Sequence, residues 1–282
     1  MITLNLREYQ TIEPHPVIAS TSNGNAGSPH KHQDQVADRP ASDQSDATNW
    51  LNMVPKLERL QQKHRTTLAF ESSSNSRACE QFRLMQHRLV TARPVGGVVL
   101  ITSPGAEDGK SLSCQNLAWA LAEAGHKTLL LDLDLRRPAL LTSLGGACPQ
   151  SIEQVLKGEV TPEAAIRSVG NLPLYIIGLD TAVSKPVPLL RAPELSNLLK
   201  WARDNFQWIL LDAPPVLPVA DVEQLLPSAD LILMVVRERV TRRAAVKRAA
   251  EMLGEHLSSL IFNDVTMSIA AGYGANYDRG YR

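Results

Sequence analysis

At 282 residues, with 29 basic against 29 acidic side chains, the chain can bury one large α/β core and carries no net charge that would draw it to nucleic acid or another polyanion. Three scattered cysteines, Cys79, Cys114 and Cys148, have no C-x-x-C spacing and suit a reducing compartment rather than a disulfide scaffold. No apolar run approaches the roughly 18 residues of a membrane span, and the N-terminus has no signal-peptide core, so a cytoplasmic protein is expected.

Residues 1–49 are rich in Ser, Asn, Gln, Asp, His and Pro, with almost no periodic apolar positions after Val17 and Ile18. Such a composition buries too little surface to offset the entropy of ordering, and a disordered arm is expected. His15, His30 and His32 lack metal-ligand spacing and read as solvated arm residues. From Trp50 to Arg65, Leu51, Val54, Leu57 and Leu60 recur at three-residue steps, which predicts a short amphipathic helix, with a Ser-rich linker running on to residue 76. A second helix is predicted from Arg77 to Val90, with Phe82, Met85 and Leu89 on one side and Glu80 and Arg83 three apart. That helix reads either as a packing helix with a surface ion pair or as a subunit contact.

Residues 98–111 run from an apolar, β-branched stretch through a small-residue loop into Gly109-Lys110-Ser111. This is the pattern of a phosphate-binding loop, with Pro104 where the first glycine of G-x-x-x-x-G-K-S stands and Gly105 beside it. A buried strand delivers the chain to a turn (Gly105, Ala106, Glu107, Asp108, Gly109) whose amides face phosphate oxygens. The helix beginning Lys110-Ser111-Leu112 adds its positive dipole end. Lys110 is expected to reach the β/γ-phosphates and Ser111 to ligate magnesium.

Leu112 to Ala124 reads as helix ended by Gly125, and Thr128 onward as a buried strand that ends in Asp132 and Asp134. Two carboxylates two residues apart at the carboxyl end of a strand point to one side, the end at which open α/β sheets bind ligands. Buried there without a cation they would be costly, so magnesium is the expected partner. Short helices are predicted at 151–157 and 162–167, a strand at 172–177 and a helix at 193–204. The strand from Trp208 ends in Asp212, at the place of a Walker B acid, and is stopped by Pro214 and Pro215. A strand at 231–236, a helix at 242–253 and a last strand at 260–263 complete an alternating pattern. It predicts a doubly wound, mainly parallel sheet of the P-loop NTPase type, with helices on both faces, over residues 77–265.

The loop ending Gly109-Lys110-Ser111, then Leu-Leu-Leu-Asp132-Leu-Asp134-Leu-Arg136-Arg137-Pro138, then Asp212-Ala-Pro-Pro, resembles the Walker A, A′ and B set of bacterial protein-tyrosine kinases, which act in capsule and exopolysaccharide synthesis. The stretches to Asp221 and from Val236 to Arg243 also resemble that family, over roughly residues 77–282. Partition and cell-division ATPases share the fold but carry a lysine early in the loop, where this chain has Gly105. Glu80 and Arg83 match the first two positions of the family's interface motif. Gln86 replaces its last arginine, and Arg88 lies about 200° further round the helix.

The resemblance implies tyrosine kinase activity on Mg-ATP, regulating polysaccharide synthesis and chain length. Asp132 would be the acceptor of the tyrosine proton, and Ser111, Asp134 and Asp212 would hold magnesium directly or through water, with Lys110, Asp132 and Asp134 the catalytic set. Asn263 would contact the adenine or serve as a strand-end turn residue. Three of the five tyrosines, Tyr273, Tyr277 and Tyr281, crowd the last ten residues, in a glycine-rich, flexible tail (266–282) that resembles the family's autophosphorylated cluster. The implied partners are a membrane-embedded polysaccharide co-polymerase that recruits the protein to the inner face of the plasma membrane, and the chain's own tail or a neighbouring copy in a homo-oligomer. The competing reading is an ATP-switched scaffold or partition-type ATPase without tyrosine chemistry.

Overall fold

The computed structural model describes residues 2–5, 49–59, 68–72, 76–217 and 221–265. In chain order these form β1 (Ile2–Asn5), a 3-10 turn (Asn49–Met53), β2 (Glu58–Arg59), α1 (Ala69–Ser72), α2 (Arg77–Ala92) and β3 (Gly97–Thr102). There follow α3 (Lys110–Glu123), β4 (Thr128–Asp132), α4 (Leu140–Ser143), β5 (Gly146–Ala147), α5 (Ile152–Leu156), α6 (Pro162–Ala165) and β6 (Arg167–Ser168). The chain continues through β7 (Leu174–Ile177), α7 (Pro186–Leu190), α8 (Pro193–Asn205), β8 (Trp208–Asp212), β9 (Leu231–Arg237), α9 (Arg243–Leu253) and β10 (Leu257–Asn263).

The main sheet has the order β1-β10-β9-β3-β8-β4-β7-β6. The strands from β10 to β7 are parallel and the two edge strands antiparallel. Strands buried on both faces read as continuous apolar runs, and period-2 alternation divides them between two cores. Val98, Leu100, Leu129, Leu131, Ile209 and Leu211 face a layer that includes Leu195 and Leu198 of α8 and Leu253 of α9. Val99, Ile101, Leu130 and Leu210 face Phe82 and Met85 of α2 and Leu117 and Leu121 of α3. Each such fully buried Leu or Ile contributes about 1.5–3 kcal/mol, so the parallel centre supplies much of the stability of the fold.

From β3 the chain winds first toward β4 and later to β9 on β3's other side, so the winding reverses beside β3 and a crevice opens at the carboxyl ends of the strands. The register sets the acids level there: Asp132 of β4 pairs with Asp212 of β8, and Asp212 pairs with Ile101 of β3.

Two expectations are corrected. The helix expected from Trp50 to Arg65 is a 3-10 turn that ends at Met53, followed by extended chain into β2, with residues 60–65 outside the described set. Pro55 disfavours helix at the residue before it and lacks an N–H, and the backbone pairs with β6 instead: Leu57 N–H donates to Ser168 O (2.9 Å) and Ser168 N–H to Pro55 O (3.0 Å). The N-terminal arm is also not structureless throughout. Ile2–Asn5 lies antiparallel on β10, pairing an otherwise open sheet edge, while 6–48 lie outside the described residues.

Candidate functional site

Asp108 organises the loop between β3 and α3. Its side chain is buried, and its Oδ2 accepts from Gly105 N–H (3.0 Å) and its Oδ1 from the Thr241 hydroxyl (2.6 Å). Its carbonyl accepts from Asn263 Nδ2 (3.1 Å). Ser103 Oγ donates to Gly105 O (2.6 Å), closing the loop's first turn. Gly109, at φ 92°, caps α3, and a Cβ there would lie 2.1 Å from Asn263 Nδ2, so the close approach of loop and strand end requires glycine. The N-terminal end of α3 opens onto a pocket of about 500 Å³ lined in part by Ala106, Gly109, Lys110, Ser111 and Asp134.

Lys110 is buried between Asp134, two residues beyond the end of β4, and Asp212. Its Nζ lies 2.8 Å from Asp134 Oδ2, 3.2 Å from Asp212 Oδ1 and 3.2 Å from Ser111 Oγ. Burial alone would lower its pKa, but Asp212 and Asp134 outweigh that and hold the ammonium above its usual range. Asp132 Oδ2 accepts from the amides of Ala139 (3.2 Å) and Leu140 (3.1 Å), while its Oδ1 and Asp212 Oδ2 are buried without a hydrogen-bond partner. Burial, and then the neighbouring Asp212, push the Asp132 carboxyl well above the usual range. Burial raises Asp212 too, against the pull of Lys110.

Hard oxygen donors, among them the unpartnered buried Oδ2 of Asp212, suit a divalent cation of the magnesium type. Among the described residues no three His, Cys, Asp or Glu side chains converge as a complete cage, so an ion held by Ser111, Asp134 and Asp212 would take its other ligands from phosphate and water.

The structure thus brings together Lys110, Ser111, Asp132, Asp134, Asp212 and the loop from Gly105 to Leu112. Asn263 is adjacent, with its amide directed to the Asp108 carbonyl, and it also borders a second pocket of about 440 Å³ lined in part by Arg77, Gln81, Leu112 and Asp264. Tyr273, Tyr277 and Tyr281 lie outside the described residues. On α2, Glu80 and Arg83 form the expected ion pair, and Arg83 also pairs with Glu123 of α3 (2.9 Å). Two features were not legible in the motifs: the Thr241 contact, and the bidentate pair of Arg136 (Nε 2.6 Å, Nη2 3.2 Å) with buried Asp221. Both join residues more than 80 positions apart, and only a non-local contact could have revealed them.

A family model described as an AAA domain matches residues 105–246, just over half of the chain. The tyrosine-protein kinase ptk of Acinetobacter johnsonii is 27% identical over 233 residues, covering 82% of this chain and 31% of that protein. The tyrosine-protein kinase YwqD of Bacillus subtilis is 30% identical over 179 residues, covering 62% of this chain and 76% of that protein. The crystal structure of the VpsO kinase domain matches 70% of this chain and 100% of that one, with 28% identity and a TM-score of 0.63. The chain spans about a third or less of the length of the longer curated relatives, 31%, 28% and 26% for three of them. With the Gly-Lys-Ser loop and three clustered acids at the strand ends of a doubly wound sheet, the chain belongs to the bacterial protein-tyrosine kinase family.

Proposed function

We propose that the protein is an ATP-dependent tyrosine autokinase that regulates exopolysaccharide or capsule synthesis, transferring phosphate from Mg-ATP to Tyr273, Tyr277 and Tyr281. The observation that carries this reading is the convergence of Lys110 on Asp134 (2.8 Å) and Asp212 (3.2 Å) beside Asp132, at the start of the Gly-Lys-Ser helix. Phosphoryl transfer is catalysed mainly by positioning and charge neutralisation, and this cluster supplies both. Lys110 and the loop amides hold the phosphates. Ser111, Asp134 and Asp212 hold magnesium, which when bound neutralises charge on the transferring phosphoryl group. Asp132 accepts the phenolic proton: two backbone amides fix one oxygen, the other is buried with no hydrogen-bond partner, and burial raises its proton affinity. A phenol with a pKa of about 10 needs such a base at neutral pH.

Residues 77–265 form the catalytic unit in this reading, and 266–282 the substrate. Seventeen residues can span roughly 55 Å extended, against a radius of gyration near 16 Å for a domain of about 190 residues, so the tail can reach its own site or a neighbour's. No helix among the described residues is long and apolar enough to cross a membrane, and the protein would act at the inner face of the plasma membrane through a polysaccharide co-polymerase. Intact-mass analysis after incubation with Mg-ATP tests the proposal. The wild type should gain one or more phosphates and Lys110→Met none; ATP hydrolysis without any gain in mass, even with the activating partner present, would make the chain an ATP-switched scaffold.

A further inference from the structure

A carboxylate in the middle of a loop meant to hold phosphate is electrostatically adverse unless its lone pairs are committed elsewhere. Asp108 is 3% exposed, and its carboxylate is taken up by two donors, Gly105 N–H within the loop and the Thr241 hydroxyl from outside it. Thr241 stands two residues before α9, 133 positions away in sequence, and its own oxygen accepts from Arg237 N–H (2.9 Å) at the end of β9. With that bond fixing the oxygen, the hydroxyl proton is left for Asp108 Oδ1 at 2.6 Å, a charge-assisted geometry.

The contact also bears on the loop's backbone. Glu107, immediately before Asp108, has φ 66°, a left-handed conformation that disfavours a side chain and persists only where neighbours over-determine it. The neighbours that do so meet at Asp108: Gly105 N–H closes the loop from within, Asn263 holds the carbonyl, and Thr241 holds the carboxylate.

We propose that Thr241 is a positioning residue for the phosphate-binding loop, acting through Asp108 to hold residues 105–109 in the conformation that receives nucleotide phosphates. The proposal rests on the nucleotide-binding reading of that loop. It places part of the control of the phosphate site in the exposed turn between β9 and α9, where Arg239 and Val240 precede Thr241 and Val240 is 59% exposed.

The test is titration of Mg-ATP by calorimetry into wild type, Thr241→Val, Thr241→Ser and Asp108→Ala, and into the Thr241→Val/Asp108→Ala double variant, with the melting temperature of each nucleotide-free protein. Val keeps the shape and loses the hydroxyl, so Kd should rise roughly tenfold or more, as expected for a lost hydrogen bond to a charged group. Ser should stay within about threefold of wild type. The double variant should bind little worse than its worse parent, because the two side chains act as one unit. A Thr241→Val Kd within twofold of wild type, a Ser variant as impaired as Val, or losses that simply multiply in the double variant would each overturn the proposal. Wild-type protein that fails to bind Mg-ATP would overturn the reading of the loop itself, a result separate from any ratio among variants.

Discussion

At the scale of single residues, the sequence encodes the Gly-Lys-Ser loop and the acids because each is local. Gly109-Lys110-Ser111 needs only its neighbours to form a helix start, and Asp132, Asp134 and Asp212 lie at or just beyond the ends of apolar runs. What local pattern does not encode is what a side chain meets across the fold. Asn263 is a case: its place at the end of β10 was readable, but its bond to the Asp108 carbonyl depends on three elements meeting. Gly109 shows how tight that meeting is. Gly109→Ala must adopt φ near 92° and place a Cβ 2.1 Å from Asn263 Nδ2, so either the loop or the strand end shifts. The conformational strain alone is about 1–2 kcal/mol. The expected outcome is a folded protein with a lowered melting temperature and at least tenfold weaker Mg-ATP binding, and unchanged binding in calorimetry would remove the glycine's fit from the site. Asp212→Asn tests the metal role separately: its neutral amide should weaken the magnesium dependence of nucleotide binding, measured by titration with and without the ion.

At the scale of elements, the long helices and central strands were legible because burial on both faces of a parallel sheet leaves an unbroken apolar signature. The two-residue strands β2, β5 and β6 carry no period to detect, and the three-residue recurrence after Trp50 imitated a helix that Pro55 forbids. Junctions between elements are set by single polar side chains. Asp230 joins three of them: its Oδ2 accepts from Val98 N–H of β3 (2.7 Å) and from Arg203 Nη1 of α8 (2.8 Å), and Arg93 at the end of α2 lies 3.6 Å from Oδ1. Partial burial would raise this carboxyl, but Arg203, the Val98 amide and Arg93 together hold it below its usual range. A carboxyl whose folded pKa is depressed contributes stability that is present above its unfolded value, about 3.9, and is lost as pH falls through the folded value. Asp230→Asn should therefore cost about 1 kcal/mol near pH 7 in urea unfolding. The difference from wild type should shrink as pH falls below about 4, and a difference constant with pH would mean that charge plays no part at this junction.

At the scale of the whole molecule, β1 and the loop before α3 sit at opposite ends of one chain of contacts. Ile2–Asn5 pairs antiparallel with Ser259–Phe262 of β10, and β10 ends at Asn263, whose amide holds the loop before α3 at Asp108. Composition alone made residues 1–49 dispensable, because a polar stretch has no core to join. A strand needs no core if it can satisfy the open hydrogen-bonding groups of a sheet edge. Deleting residues 1–5 should then uncover the edge of β10. The loss is about 1 kcal/mol or more after the entropy of ordering the strand is set against its hydrogen bonds, and each kcal/mol lowers the melting temperature by about 2–4 °C in a domain of this size. Two further effects separate this from a generic loss of stability. An exposed strand edge invites pairing between copies, so the truncated protein should self-associate in sedimentation velocity at concentrations where the full chain does not. With β10 less firmly held, Asn263 should restrain the loop less, and Mg-ATP should bind several-fold more weakly. Deleting residues 6–48 while joining the strand by a short glycine-serine linker should restore all three properties. If removal of residues 1–5 leaves the melting temperature, the sedimentation profile and the nucleotide affinity unchanged, the N-terminal strand contributes nothing to the fold and the arm is dispensable as its composition suggests.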